Sequence, residues 1–471
     1  MAVEPTDPER RRETTPLPKL QTTVALLIAH AEPVTGQVIY PFIPAFVRRT
    51  GVTGGDEKST GYYAGIIESL FFVTECLTVY HWGRASDRIG RRPILLIGPL
   101  GLTVAMLGFG LSKTFWQLVV FRCAQGVFNG NLGVVKTLMV EFTDDTNLAD
   151  ALTLLTLAWN VGSTIGPAMG GILSDPAEQW PRTFRHPFFR ENPYFLACAA
   201  AAMCAFTAFI FAFHFLKETL NTSPSSDGPS ERDPLLAGSN EENQNKAQLT
   251  IYEIVVPNLP LQRSLITLAI FSLTHMSYRV LIPLVYSTSI PSGGLGLSPY
   301  QIGIVLGIYG VCNGILQLFV WKPMLKRIGP KKMFILSYSF HTLRMLMMTL
   351  ARVVAARVGS ANWLVWTFIV AQMGASTLAA TAYNAITTLI VKSAPPNALG
   401  AVNGIQQMIS SGLRGLAPIV ASSLFAVSLA LDWKVSGGSG GVCRYFVDIL
   451  TIGLIIFGVW YSRRLPSYRL I

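Results

Sequence analysis

Ionisable side chains set in apolar sequence define the chemistry open to this chain. Glu32 lies in H-A-E-P (30–33), and Glu68 and Glu75 lie in the apolar stretch that follows G-Y-Y-A-G (61–65). Seven positions apart, Glu68 and Glu75 fall close to one helix face. Arg122 lies in F-R-C-A-Q-G-V-F-N-G-N (121–131). Removal from water disfavours the charged form of a carboxylate, so such groups suit reversible proton binding. Glu32 is the first choice as a protonatable site, with Glu68 behind it; Glu75 reads as structural. The other reading of Glu32 is a carboxylate neutralised by Arg122 or Lys136. Arg122 must face a cavity or a partner, or else snorkel to an interface. The six histidines are scattered without ligand spacing such as H-x-x-x-H, so no metal site is expected. No His/Asp/Ser cluster suggests an enzyme, and no cofactor is implied.

The elements that must hold these residues follow from composition. The 471 residues are 51% hydrophobic and 13% charged, with mean hydropathy +0.43. A soluble domain carries about 25% charged residues. This chain cannot clothe several soluble cores, and its solvent is the lipid bilayer. Net charge of +11 fits basic loops of a membrane protein and does not imply nucleic acid. Apolar runs long enough to span recur twelve times, at about 23–47, 62–82, 93–112, 115–139, 151–173, 193–216, 264–288, 300–321, 333–353, 363–391, 400–430 and 444–462. Pro33, Pro41, Pro44 and Pro418 are expected to interrupt the first and eleventh.

The resulting plan is an all-α membrane protein. A polar N-tail (1–22), without the short apolar region of a signal peptide, precedes a six-helix bundle (23–216). A Ser/Asn/Glu/Pro-rich flexible loop (217–262), a second six-helix bundle (263–462) and a C-tail (463–471) complete it. Lysine and arginine in the tails and central loop favour both termini in the cytosol. The cysteines at 76, 123, 198, 204, 312 and 443 lie mostly in apolar runs and do not read as a disulfide framework.

An internal repeat supports the two halves. H-W-G-R-A-S-D-R-I-G-R-R-P (81–93) aligns without gaps on V-W-K-P-M-L-K-R-I-G-P-K-K (320–332), pairing Trp82 with Trp321 and Arg88-Ile89-Gly90 with Arg327-Ile328-Gly329. Each copy joins the second and third spans of its half. G-R-A-S-D-R-I-G-R-R (83–92) resembles the gating motif of the major facilitator superfamily, G-x-x-x-D-R-x-G-R-[RK]. In the second copy Lys326 and Pro330 replace the acidic and basic positions, so that latch is degenerate.

Span four resembles the family's arginine-bearing motif, and the resemblance links Arg122 to proton coupling. G-S-T-I-G-P-A-M-G-G (162–171) resembles the motif found chiefly in the family's antiporters. Gly162, Gly166 and Gly170 share one face, Pro167 adds a kink and Gly171 follows; close helix packing alone would also account for them. A-E-P, G-Y-Y-A-G-I-I-E-S-L-F (61–71), G-N-L-G-V-V-K (130–136), E-F-T-D (141–144) and N-P-Y-F-L (192–196) look like a twelve-span fungal branch. That branch is similar to zinc-induced-facilitator-like proteins and tetracycline-type drug/proton antiporters. Arg279 departs from it, standing beside Tyr278 where relatives often have an acidic residue.

The resemblance implies two six-helix bundles in a pseudo-two-fold arrangement, rocking about a central cavity on helices one, four, seven and ten. Gln37, Asn129, Asn131, Lys136, Tyr278, Arg279, Asn313, Asn384 and Gln406 are its candidate lining, with Arg344 and Arg414 also buried and polar. Gly83, Asp87, Arg88, Gly90, Arg91 and Arg92 form the gate, with Gly83 permitting close helix approach. The expected activity is proton-coupled antiport, exporting a small organic molecule or metal chelate. Alternatives are an uptake symporter and a nutrient receptor that binds without carrying. The partners are substrate, protons and lipid, and the protein acts as a monomer. E-R-D-P-L-L (231–236) resembles a dileucine sorting signal, and Asn221-Thr222-Ser223 is a glycosylation sequon. The two uses exclude each other across the membrane, and cytosolic termini favour the first, pointing to a vacuolar or plasma membrane.

Overall fold

The computed structural model describes residues 15–144, 147–219, 252, 255–317, 324, 327–395, 399–436 and 441–467. The sorting signal, the sequon, Lys326, most of the N-tail and of the central loop, and residues 468–471 lie outside the described residues. The helices are α1 (Lys19–Gln37), α2 (Ile43–Arg49), α3 (Thr60–Ile89), α4 (Arg91–Gly110), α5 (Phe115–Phe128), α6 (Asn131–Phe142), α7 (Leu148–Ile172), the short α8 (Pro176–Gln179) and α9 (Pro187–Glu191), and α10 (Phe195–Phe215). After the central segment come α11 (Leu259–Ser287), α12 (Pro299–Leu316), α13 (Pro330–Val358), α14 (Trp363–Ala379), α15 (Ala382–Ser393), α16 (Leu399–Ser436) and α17 (Phe446–Ser462).

Among the described residues, nine helical stretches are long and apolar enough to cross a membrane. The broken span α1–α2, α7 and the more polar α13 complete the expected set. Large apolar side chains point outward in mid-helix, with Val104, Val120, Ile308 and Val370 each more than 60% exposed. In water such a surface would aggregate; in lipid it is the solvated face.

Local chemistry sets the helix ends. Thr114 and Gln117 form a reciprocal capping box at α5. Asn258 and Asn362 accept from Leu261 N and Val365 N at the starts of α11 and α14. The sequence repeat has a conformational counterpart. Gly90 (φ 106°, ψ 160°) caps α4, and Gly329 (φ 76°, ψ 162°) caps α13. Only glycine enters that region without strain, which explains why Gly90 and Gly329 recur at one place in each half.

Two details differ from the proline-based expectation. Pro33 and Pro418 sit inside continuous helices; the first span does break, over 38–42, at Pro41 and just before Pro44. In α16, Ser422 Oγ donates to Pro418 O, and Ile419 N–H donates to Ser69 Oγ at 3.0 Å, so neighbouring groups absorb the irregularity. Spans four and ten also break, at Asn129-Gly130 and Ala380-Thr381, without proline.

Contacts divide the chain into two compact units. The first comprises the described residues of Met1–Phe42, Val73–Leu220 and Pro299–Gly310; the second, those of Ile43–Phe72, Asn221–Ser298 and Val311–Ile471. The first is built around Val24, Ile28, Leu95, Leu138, Met139 and the alanines of α10. Small residues there let helices approach closely.

The second unit contains a buried charge network that reading the sequence missed. Arg352 on α13 pairs with Asp448 on α17, both side chains fully buried. Its Nε donates to Gly293 O at 2.8 Å and its Nη2 to Arg444 O at 2.9 Å. Arg444 in turn pairs with Asp432 at 3.0 Å. In the same unit Glu57 accepts from Ser289 N at 2.9 Å and Lys58 lies 3.8 Å from the Trp433 ring centre.

Candidate functional site

The break between α5 and α6 and the unbroken Pro33 turn of α1 shape the site in the first unit. Glu32 is 5% exposed on α1, and its Oε1 accepts from Asn129 Nδ2 at 2.9 Å. Asn129 is the C-cap of α5, so the interruption of span four presents its amide to the carboxylate. Two turns back, Arg122 is fully buried. It donates to Gln125 Oε1 at 2.7 Å and to Gly36 O at 3.2 Å. Two of the ionisable residues singled out in apolar sequence thus flank the same stretch of α1. The first, a carboxylate, accepts a neutral amide donor; the second, a guanidinium, is held on an amide and a carbonyl. Glu68 is also buried, on the part of α3 that belongs to the second unit. Lys136 is exposed, which removes it as the neutralising partner of buried Glu32.

Helix α7 sets the position of α1. A Cβ at Gly162 would stand 2.6 Å from Pro33 Cγ, at Gly166 3.0 Å from Val34 O, and at Gly170 it would overlap Val38 O. The glycine face is therefore the contact surface for the Glu32 segment. Gln37 adds a bond to Ser163 Oγ at 2.8 Å, and His30 Nδ1 meets Ala158 O at 3.2 Å. Pro167 lies within α7 without breaking it, and Gly171 abuts Gly303 of α12. Gly170→Ala is expected to cost about 1–3 kcal/mol by overpacking, read as a lower melting temperature in detergent. Gly133→Ala, with nothing within 4 Å of the added Cβ, is expected to be neutral or slightly stabilising. Equal melting of the two variants would contradict the packing role.

The gating segment forms a second cluster in the first unit. Arg91, 6% exposed, donates to Ser86 Oγ at 2.7 Å and to Glu141 Oε1 at 3.0 Å from both Nε and Nη2, and pairs with Asp87. Glu218 receives the first N–H groups of α4, Arg91 N at 2.8 Å and Arg92 N at 3.0 Å. A carboxylate there complements the positive end of the helix dipole. Glu141 enters the sequence reading only as the first residue of E-F-T-D (141–144), and Glu218 not at all; both lie where a span meets a loop and read there as solvated charge. Arg88 is exposed, and Arg92 is half-buried, donating to Phe213 O at 2.8 Å. Among the described residues, a Cβ on Gly83 would find nothing within 4 Å.

The remaining cavity candidates separate. Tyr278 is buried in the second unit, with its hydroxyl 2.9 Å from both Ser376 Oγ and Gln372 Nε2. Gln372 Oε1 accepts from Tyr286, and the Arg344 guanidinium lies 3.7 Å from the Tyr278 ring centre. Gln406, also buried, donates to Thr387 Oγ1 at 3.2 Å. Arg279, Asn313 and Asn384 are half-buried. The Asn131 side chain lies outside the description.

The profile of the Major Facilitator Superfamily matches residues 26–418 and 265–467. The chain is 31% identical to the zinc induced facilitator-like 1 protein of Arabidopsis thaliana, over 89% of this chain and 86% of that one. It is 30% identical to the efflux pump azaK of Aspergillus niger, over 86% and 83%. It is 29% identical to the major facilitator-type transporter psiT2 of Psilocybe cyanescens, over 97% and 92%. Its fold is similar to that of a D-xylose–proton symporter, with TM-score 0.67 at 14% identity, covering 95% of this chain and 98% of that one.

Proposed function

Because the chain belongs to the Major Facilitator Superfamily, a family of multi-pass membrane transporters and not of enzymes, we propose that it is a proton-coupled antiporter that exports a small organic molecule or metal chelate. The observation that carries this reading is Glu32, a carboxylate buried on α1 with Asn129 as its hydrogen-bond donor, on a helix segment that Arg122 also grips. Protonation removes a charge that is costly to keep out of water, and release restores it. The proton state of Glu32 thereby biases the position of α1, whose backbone rests on the glycine face of α7. Arg91, tied to Asp87 and Glu141, closes the gate at the α3–α4 turn, and rearrangement of these pairs opens it. Glu68 is a further proton-coupling candidate, and Gln37, Tyr278, Arg279, Asn313, Asn384 and Gln406 are candidate substrate contacts. Both termini face the cytosol, and the host membrane is vacuolar or plasma membrane. Export is the direction printed in the name of the Aspergillus relative. Movement of protons against substrate in proteoliposomes tests the reading; co-movement would make the protein a symporter, and binding without flux a receptor.

A further inference from the structure

The amide of Asn129 uses one of its two polar atoms and leaves the other over. Its Nδ2 donates to Glu32 Oε1 at 2.9 Å. Its Oδ1 is buried and meets no donor among the described residues, on a side chain that is 2% exposed. Gln125, one turn back on α5, does not supply the bond, since its own Nε2 is buried and reaches no acceptor among the described residues. The amide is held from behind. Asn129 caps α5, and Trp82 pins the break that follows: its Nε1 donates to Val127 O at 2.5 Å, and a Cβ on Gly130 would stand 2.5 Å from its Cδ1.

The proton state of Glu32 decides what this amide can do. An ionised carboxyl has no hydrogen to give, so the amide turns Nδ2 toward it and Oδ1 is left over. A protonated carboxyl is both donor and acceptor. Its carbonyl oxygen accepts from Nδ2 while its O–H donates to Oδ1, and the two bonds lie side by side. The single bond to the ionised form is charge-assisted and worth roughly two neutral ones, so the bonds themselves balance. The unmet Oδ1 then tips the balance toward the neutral acid.

The other charged or histidine groups on the described helices around α1 are placed as follows. Arg122 of α5 donates to Gly36 O at 3.2 Å, and His30 of α1 turns to Ala158 O of α7 at 3.2 Å. Asp150, in the first turn of α7, lies about three turns from Gly162, where α7 meets Pro33. On α6, Lys136 is exposed and Glu141 pairs with Arg91 of α4. Arg92 of α4 donates to Phe213 O, beside His214 in the last turn of α10. Arg122 is the cation held on the Glu32 segment, and Asn129 is the group bonded to the carboxyl itself.

We propose that Asn129 is a positioning residue that sets the proton affinity of Glu32, holding the neutral acid through both amide atoms and the carboxylate through one. This rests on the role given to Glu32 above. A carboxyl that takes its proton in the absence of substrate fits the exchange of one for the other.

The test is infrared difference spectroscopy of the purified full-length protein across a pH titration, without substrate. The Glu32 band is the carboxylic-acid carbonyl stretch that Glu32→Gln removes. Asn129→Leu keeps the volume and deletes both polar atoms. Its Glu32 band is expected to titrate about one unit lower in pH, a roughly tenfold loss of proton affinity, the worth of one unmet acceptor. The band is also expected to move to higher wavenumber, because its carbonyl no longer accepts a hydrogen bond. Asn129→Asp keeps the shape and replaces the donor by a second acceptor. Two carboxyls then share one proton, and the midpoint is expected to rise. Monodisperse elution shows that each variant folds, and N129D carries the test alone where N129L does not elute so. A midpoint unchanged or raised in N129L, an unmoved band, a midpoint not raised in N129D, or no band removed by E32Q would overturn the proposal. The spectra read protonation and not flux. Midpoints that move as expected, in a protein whose E32Q variant keeps coupled flux, would fail the transport role of Glu32 and leave this proposal standing; the reverse pattern would fail this proposal alone.

Discussion

Glu32→Gln is expected to abolish proton-driven accumulation while leaving the protein folded. A pH gradient of about one unit is worth about 1.4 kcal/mol per proton, or about tenfold in substrate ratio. The variant should lose that factor and equilibrate substrate at a ratio of about one. The amide has the shape of the carboxylic acid, and its oxygen can still accept from Asn129 Nδ2, now 2.9 Å from Glu32 Oε1. Substrate exchange without a gradient should therefore persist. Melting temperature and exchange, measured beside accumulation, separate lost coupling from lost structure. A glutamine variant that accumulates substrate as the wild type does would remove Glu32 from the scheme.

Asp448→Asn is expected to be the most damaging single change to stability. Asp448 neutralises Arg352 where neither side chain reaches solvent, and Arg352 also holds Gly293 O and Arg444 O. Breaking a buried pair from one side leaves an uncompensated charge, at about 3–5 kcal/mol. That is a large share of a typical folding free energy of about 5–15 kcal/mol. The change should appear as a much lower melting temperature and poor recovery of monodisperse protein. Replacing both partners, Asp448→Leu with Arg352→Met, should recover much of the loss, since the charge and its counter-charge go together. An Asp448→Asn protein melting with the wild type would show that the pair contributes little.

The architecture was legible because lipid imposes a simple rule: about twenty apolar residues per crossing leave a signal that survives without any partner being known. The repeat was legible for a similar reason. Gly90 and Gly329 answer a local backbone need, and their φ values bear this out. Glu32 and Arg122 stood out singly, since an ionisable group in an apolar run is rare, and the fold sets both along one stretch of α1.

What stayed hidden depended on contacts distant in sequence. Arg352 and Asp448, 96 positions apart, each fall near the end of a span, where a charge reads as interfacial. Glu141 and Glu218 look like loop acids until Arg91 and the start of α4 are placed against them. The break in span four did have a signal, the Asn129-Gly130 pair, which is a turn dipeptide wherever it occurs. The prolines drew the expectation elsewhere, and Pro418 proved compatible with a continuous α16.

Proton-coupled exchange is tested most directly by recording protons while only a substrate gradient is imposed. Vesicles holding the purified protein, a substrate and a trapped pH dye are diluted into substrate-free buffer at equal pH. Antiport predicts that the lumen acidifies as substrate leaves, and that Glu32→Gln vesicles stay at constant pH. A lumen that turns alkaline, or substrate efflux with no change in pH, would contradict it.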